Sequence, residues 1–152
     1  MDTIPYDILK YIHILAAIVA VGANITYGVW SVRARRDPAH LAFAINGIRF
    51  IDNRIANPAY GVLFLTGVLM VIVGGIGLKL WVVAAVILFV AIAVIGFAYF
   101  TPLVRRQLAL LDAGDASSPE FERLARRNAM IGPILGVIVL VILGLMVFQP
   151  SL

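Results

Sequence analysis

The sequence predicts an all-α, polytopic membrane protein: a single domain built as a four-helix bundle. Three observations carry that prediction. Of the 152 residues, 62% are hydrophobic and 13% charged, against roughly 45–50% apolar and about 25% charged in a soluble domain. The apolar residues collect into four stretches, each near the roughly 20 residues a helix needs to cross the hydrocarbon. Finally, ten of the twelve Lys and Arg residues fall on one side of those stretches. So few charges cannot cover so much apolar surface in water, and with no water in the bilayer every backbone group must be satisfied within a helix.

The first span covers about residues 9–30. The segment before it sets Asp2 and Asp7 against Lys10, the wrong charge balance for a cleaved signal peptide, and the apolar run continues to Trp30. The second span, about 58–75, is followed by Gly74-Gly75-Ile76-Gly77-Leu78-Lys79 and then the third, about 80–101. So short a connection makes those two helices an antiparallel hairpin. The fourth span is about 130–149, with a bend expected near Gly132-Pro133.

The two longer connections carry short amphipathic helices. Asp37-Pro38, Asn57-Pro58 and Ser118-Pro119 each set a capping side chain before a proline at the first helical position. After Asp37, residues Leu41, Ile45, Ile48, Ile51 and Ile55 recur at helical spacing. That pattern suits a helix on the membrane surface or one that packs only on the protein. Residues Asp112 to Ser118 form a turn-rich break before the chain restarts at Glu120.

With four spans, Arg33, Arg35, Arg36, Arg49, Arg54, Arg105, Arg106, Arg123, Arg126 and Arg127 share one side, leaving Lys10 and Lys79 on the other. The positive-inside rule then places the long connections in the cytoplasm and both termini outside, in a multi-pass protein of the inner or plasma membrane. The net charge of +4 is read as this orientation signal, with no nucleic-acid partner expected; the expected partners are the lipid bilayer and a homo-oligomer or membrane complex. There are no cysteines, which excludes disulfides, thiolate metal sites and iron–sulfur clusters.

Polar side chains inside a span are costly and invite a functional hypothesis. His13, Ala17, Ala20, Asn24 and Tyr27 lie at i, i+4, i+7, i+11 and i+14 of the first span, one small and polar face. Ile14, Leu15, Ile18, Val21 and Ile25 cover the rest, so the polar face looks into the bundle. His13 has the chemistry to ligate a haem iron or transition metal, or to relay protons; the structural alternative is an interfacial histidine near the headgroups. The structural alternative for Asn24, and the favoured one, is an interhelical hydrogen bond. Lys79 is either a snorkelling topology marker or a cation beside His13 for a haem propionate or anionic substrate. Met70 and Met146 are candidate second axial ligands whose bland role is core or lipid-facing filler. His40 falls on the opposite side from His13. No nucleophile–base pair is visible, so no catalytic residue is assigned, and the identity of any metal is left open.

Three stretches also carry a resemblance. Residues Tyr11 to Gly22, YIHILAAIVAVG, resemble the first-helix pattern of copper-resistance-D-like membrane proteins. Residues Arg49 to Tyr60, RFIDNRIANPAY, and Leu145 to Pro150, LMVFQP, resemble a bacterial family of predicted integral membrane proteins of unknown function. The wider likeness reaches the four-helix, membrane-integral protoporphyrinogen oxidases, where it implies a first-helix histidine ligating haem b and an important lysine near the start of the third helix. His13 and Lys79 occupy similar places. The characteristic aromatic residue before the glycine is replaced by Ala20-Val21, and the oxidase's flanking motifs are not evident. The expectation is therefore binding of haem b or a metal through His13. The alternatives are a small transporter or channel component, with His13, Asn24 and Tyr27 lining a polar path, and a non-catalytic accessory subunit docking through its glycine faces.

Overall fold

The computed structural model describes residues 4–75 and 77–150, with side-chain environments for all of these but Arg35 and Pro38. Ile76 of the expected hairpin turn lies outside the described residues. The chain runs as α1 (Ile4–Arg36), a short 3-10 turn (Pro38–His40), α2 (Leu41–Ile51), α3 (Asn57–Val73), α4 (Leu80–Ile95), α5 (Thr101–Asp112) and α6 (Pro119–Phe148). A π-helical turn, Asp52–Ala56, joins α2 to α3, and a second, Gly96–Phe100, joins α4 to α5. The described residues thus make four long apolar helices: Ile4–Ala34, Leu41–Val73, Leu80–Asp112 and Pro119–Phe148.

Length explains the shape. At 1.5 Å per residue, each 33-residue helix is roughly 50 Å long, against about 30 Å of hydrocarbon. One end must protrude. A cluster of buried side chains shows which: Ile45, Ile48, Phe100, Val104, Leu108 and Phe121 pack together, with Tyr27, Trp30 and Leu41 against them. This cluster lies at the end of the bundle that carries the arginines. The rest of the bundle exposes Ile14, Leu15, Ile18, Ile25, Leu65, Ile87 and Leu140 on its outside, the surface that hydrocarbon covers.

The amphipathic helix expected after Asp37 is present, and it packs on the protein. It does not lie separately on the membrane surface; it continues through the π turn into the second span. The reason is proline. The rings of Pro58 and Pro102 would clash with the carbonyl four residues back in a regular helix, and neither supplies an N–H. Widening the preceding turn relieves both problems. Each π turn ends immediately before an X-Pro pair, and the N–H groups of Asn57 and Thr101 reach five residues back, to Asp52 O and Gly96 O. The Thr101 hydroxyl adds a second bond to Gly96 O at 3.1 Å.

The same widening shifts the face of the helix. Ile55, expected on the apolar face of this helix with Ile45 and Ile48, is 43% exposed, while Ala56 is 0% exposed. One extra residue in the turn moves the buried position along by one.

Of the three expected caps, Ser118 behaves as predicted: its hydroxyl accepts from Phe121 N–H at 3.2 Å. Asn57 lies inside the continuous helix, its backbone N–H reaching Asp52 O. Asp37 pairs with the His40 ring at 2.8 Å. Pro133 sits inside the uninterrupted helix α6.

At the opposite end, Gly75 and Gly77 have φ of 58° and 71°, left-handed values that glycine adopts without a Cβ penalty. The Tyr6 ring packs so closely on Gly74 that a Cβ there would lie 2.6 Å from it. This contact sets the start of α1 beside the turn that carries Lys79.

Around the bundle, α1 packs closely on α3, α4 on α6, and α6 on α1. Helices α3 and α4 are linked by rings: Phe89 stacks on Phe64 at 5.8 Å and meets Tyr60 edge-on at 6.1 Å. The α1–α3 contact is made by small residues. Ala16, Ala20 and Ala23 of α1 and Ala59 of α3 are all buried, and small side chains let helix backbones approach closely in lipid.

Candidate functional site: a polar seam between α1 and α3

The face expected to look into the bundle does so, and its polar members all find partners on the chain from α2 to α3. Ala20 is 1% exposed, and His13, Asn24 and Tyr27 around it are half-buried. Three hydrogen bonds cross the contact at three depths. Nearest the basic end, Tyr27 OH donates to Asp52 Oδ1 at 3.2 Å, and the Tyr27 ring stacks on Phe100 at 5.9 Å. Deeper, Asn24 Nδ2 donates to Tyr60 OH. Towards the Lys79 end, His13 Nδ1 lies 3.0 Å from Thr66 Oγ1.

The His13 contact has a direction. Thr66 has a single hydroxyl proton, and its oxygen lies 2.7 Å from Val62 O and 3.2 Å from Leu63 O, both acceptors on its own helix. A threonine inside a helix gives its proton to such a carbonyl, so its oxygen accepts from His13. With the Thr66 oxygen as the acceptor, the proton is assigned to Nδ1, which leaves Nε2 with its lone pair free. The ring is also seated: a Cβ on Gly67 would lie 3.2 Å from His13 Cε1 and 3.6 Å from Nδ1. Thr66 orients the ring and Gly67 makes room for it.

Asn24 makes the interhelical hydrogen bond favoured from its sequence position. Lys79 is exposed, ends the turn before α4 as its N-terminal cap residue, and takes part in no ion pair among the described residues. It shares an end of the bundle with His13, but α4 packs chiefly on α6 rather than on α1. Met70 is half-buried, one turn beyond Thr66 on the same helix, and Met146 is half-buried on α6. His40 stands 27 residues beyond His13, roughly 40 Å along the helix, at the basic end.

Thr66, Tyr60 and Asp52 were not anticipated as partners. Thr66 and Tyr60 carried the signal that singled out Asn24, a polar group inside an apolar run. The π turn hid Asp52. Eight residues separate it from Tyr60, which in a regular helix sets them roughly 80° apart, but the wider turn absorbs one residue and brings them to one face.

Among the described residues, no three His, Cys, Asp or Glu side chains gather as a metal site. The donor set at His13 is a single imidazole, which suits an iron that brings most of its own ligands.

No curated protein and no solved structure matches the chain. The family model described as "Predicted integral membrane protein (DUF2269)" matches residues 7–150, nearly the whole chain. A multi-pass helical membrane protein whose first and second spans are joined by a polar seam, the chain belongs to that family of predicted integral membrane proteins.

Proposed function

We propose that the protein binds haem b, with His13 Nε2 as an axial ligand. The observation that supports this is the seating of the ring. A histidine that ligates iron donates its other N–H to a protein acceptor, which fixes tautomer and orientation. Here Thr66 supplies the acceptor, and Gly67 leaves the space that a Cβ would fill. Lys79, exposed at the same end, is the cation proposed to meet a propionate, and Met70 the candidate for a second axial position. Haem would supply one-electron chemistry or ligand sensing, while the chain's own residues hold and orient it. In this proposal the basic end faces the cytoplasm and both termini face outward across the inner or plasma membrane, as the distribution of arginines favours.

The test is an absorption spectrum of the full chain, expressed with ample haem and purified in detergent. A Soret band is expected in the wild type and lost in His13→Ala. A colourless wild type, or a His13→Ala variant that colours equally, overturns the proposal.

The transporter alternative draws no support from this face, whose side chains His13, Asn24 and Tyr27 make hydrogen bonds across to the chain from α2 to α3. The accessory-subunit alternative keeps one observation in its favour: Gly132 and Gly136 on α6 have nothing within 4 Å of an added Cβ, leaving a small-residue face open to another helix. A single stoichiometric complex recovered by pull-down, lost on Gly136→Leu, would favour it.

A further inference from the structure

Where α1 leaves the apolar span, a cavity of about 420 Å³ opens at the basic end, lined by Trp30, Arg33, Arg36, Asp37, His40 and Phe43. Its size falls within the range of about 300–1,000 Å³ typical of small-molecule sites. Two features give it a chemistry. Trp30 and Phe43 meet edge-on at 6.2 Å and make an aromatic wall, with Phe43 70% exposed. Arg33 and Arg36 are exposed and enter no ion pair among the described residues. The one carboxylate of the lining, Asp37, is hydrogen-bonded to His40 at 2.8 Å. The cavity therefore carries two guanidinium groups against one carboxylate, an excess of positive charge beside an aromatic wall.

Its position says what should fill it. Tryptophan concentrates at the level of the headgroups, and Val29 and Val32, on the turns flanking Trp30, are each 54% exposed on the lipid-facing outside. A molecule that sets a phosphate against Arg33 and Arg36 thus has apolar surface beside it for acyl chains. Guanidinium groups bind phosphate oxygens in a bidentate fork, and basic pockets of this kind at the ends of transmembrane helices take anionic headgroups. We infer that this cavity is a binding site for one anionic phospholipid, its phosphodiester held by Arg33 and Arg36 against Trp30 and Phe43. The inference is independent of any role of His13.

The test uses the full chain in detergent and native mass spectrometry. Equimolar short-chain phosphatidylglycerol and phosphatidylcholine are offered together, and inorganic phosphate separately. The wild type is expected to retain phosphatidylglycerol at least tenfold over phosphatidylcholine and to hold no phosphate. Arg33→Gln/Arg36→Gln should lose that preference, Arg33→Lys/Arg36→Lys should keep it in part, and Arg123→Gln/Arg127→Gln, which removes two exposed charges outside the cavity, should keep it fully. Equal retention of the two lipids overturns the inference, as does an unchanged preference in Arg33→Gln/Arg36→Gln. A loss of equal size in Arg123→Gln/Arg127→Gln overturns it too, and phosphate bound as well as the lipid would assign the site to a free anion instead.

Discussion

Replacing Gly67 with alanine isolates the contact that seats His13, and Gly61 on the same helix provides the matched control. An added Cβ at Gly61 meets nothing within 4 Å, whereas at Gly67 it would lie 3.2 Å from His13 Cε1. Each substitution raises intrinsic helix stability by up to about 1 kcal/mol. At Gly67 the imidazole must also move by a few tenths of an ångström, away from Thr66, 3.0 Å from Nδ1. Interhelical hydrogen bonds in membrane proteins are worth about 0.6 kcal/mol on average and up to about 1.7. Gly67→Ala should therefore be less stable than Gly61→Ala by about 1 kcal/mol. The difference should vanish when both are placed in a His13→Ala background, where no ring is left to displace. The assay is reversible unfolding in mixed micelles, followed by far-UV circular dichroism. Equal stabilities of the two variants in the wild-type background, or a gap that persists without His13, would refute the seating of the ring on Gly67.

Other consequences follow from the rest of the seam and the helix ends. Tyr27→Phe removes the bond to Asp52 but keeps the stack on Phe100; it should cost about 1 kcal/mol, and Tyr27→Ala several times more, both read as shifts in unfolding midpoint. Ala20→Leu forces bulk into a position that is 1% exposed between α1 and α3 and should destabilise by about 1–3 kcal/mol, whereas Ala17→Leu beside it, half-buried, should cost less. Ser118→Ala, which leaves the Phe121 N–H without its acceptor, should cost about 1 kcal/mol. Pro102→Ala removes the ring that the second π turn accommodates, and hydrogen exchange should show the Phe100–Arg106 amides better protected; unchanged protection would count against proline as the cause of the wide turn.

Much of this architecture was legible because lipid imposes a strong pattern. Four apolar runs, a six-residue glycine-rich connection and one-sided arginines mark the spans and the hairpin. The 3.6-residue period marked His13, Asn24 and Tyr27 as one inward face. What was not legible comes from two local effects. Proline 58 reads as a helix start, since an Asn before a proline is also how a helix begins; only the three-dimensional context shows the helix passing through there, and again at Pro102, with a widened turn. That turn shifts the periodicity by one residue, which exchanged Ile55 for Ala56 at the buried position and hid Asp52 as the partner of Tyr27. The direction of the His13 hydrogen bond was likewise out of reach, because it depends on where the Thr66 proton goes on a different helix.

The account rests on one nitrogen. Nitrogen-15 NMR of histidine-labelled protein in micelles, with His40→Gln to leave a single ring, reports directly which nitrogen of His13 carries the proton. The geometry at Thr66 predicts a protonated Nδ1 and a bare Nε2, with the Nε2 signal displaced when haem is added. A protonated Nε2 with a bare Nδ1 would contradict the account, because the nitrogen proposed to hold iron would then be occupied.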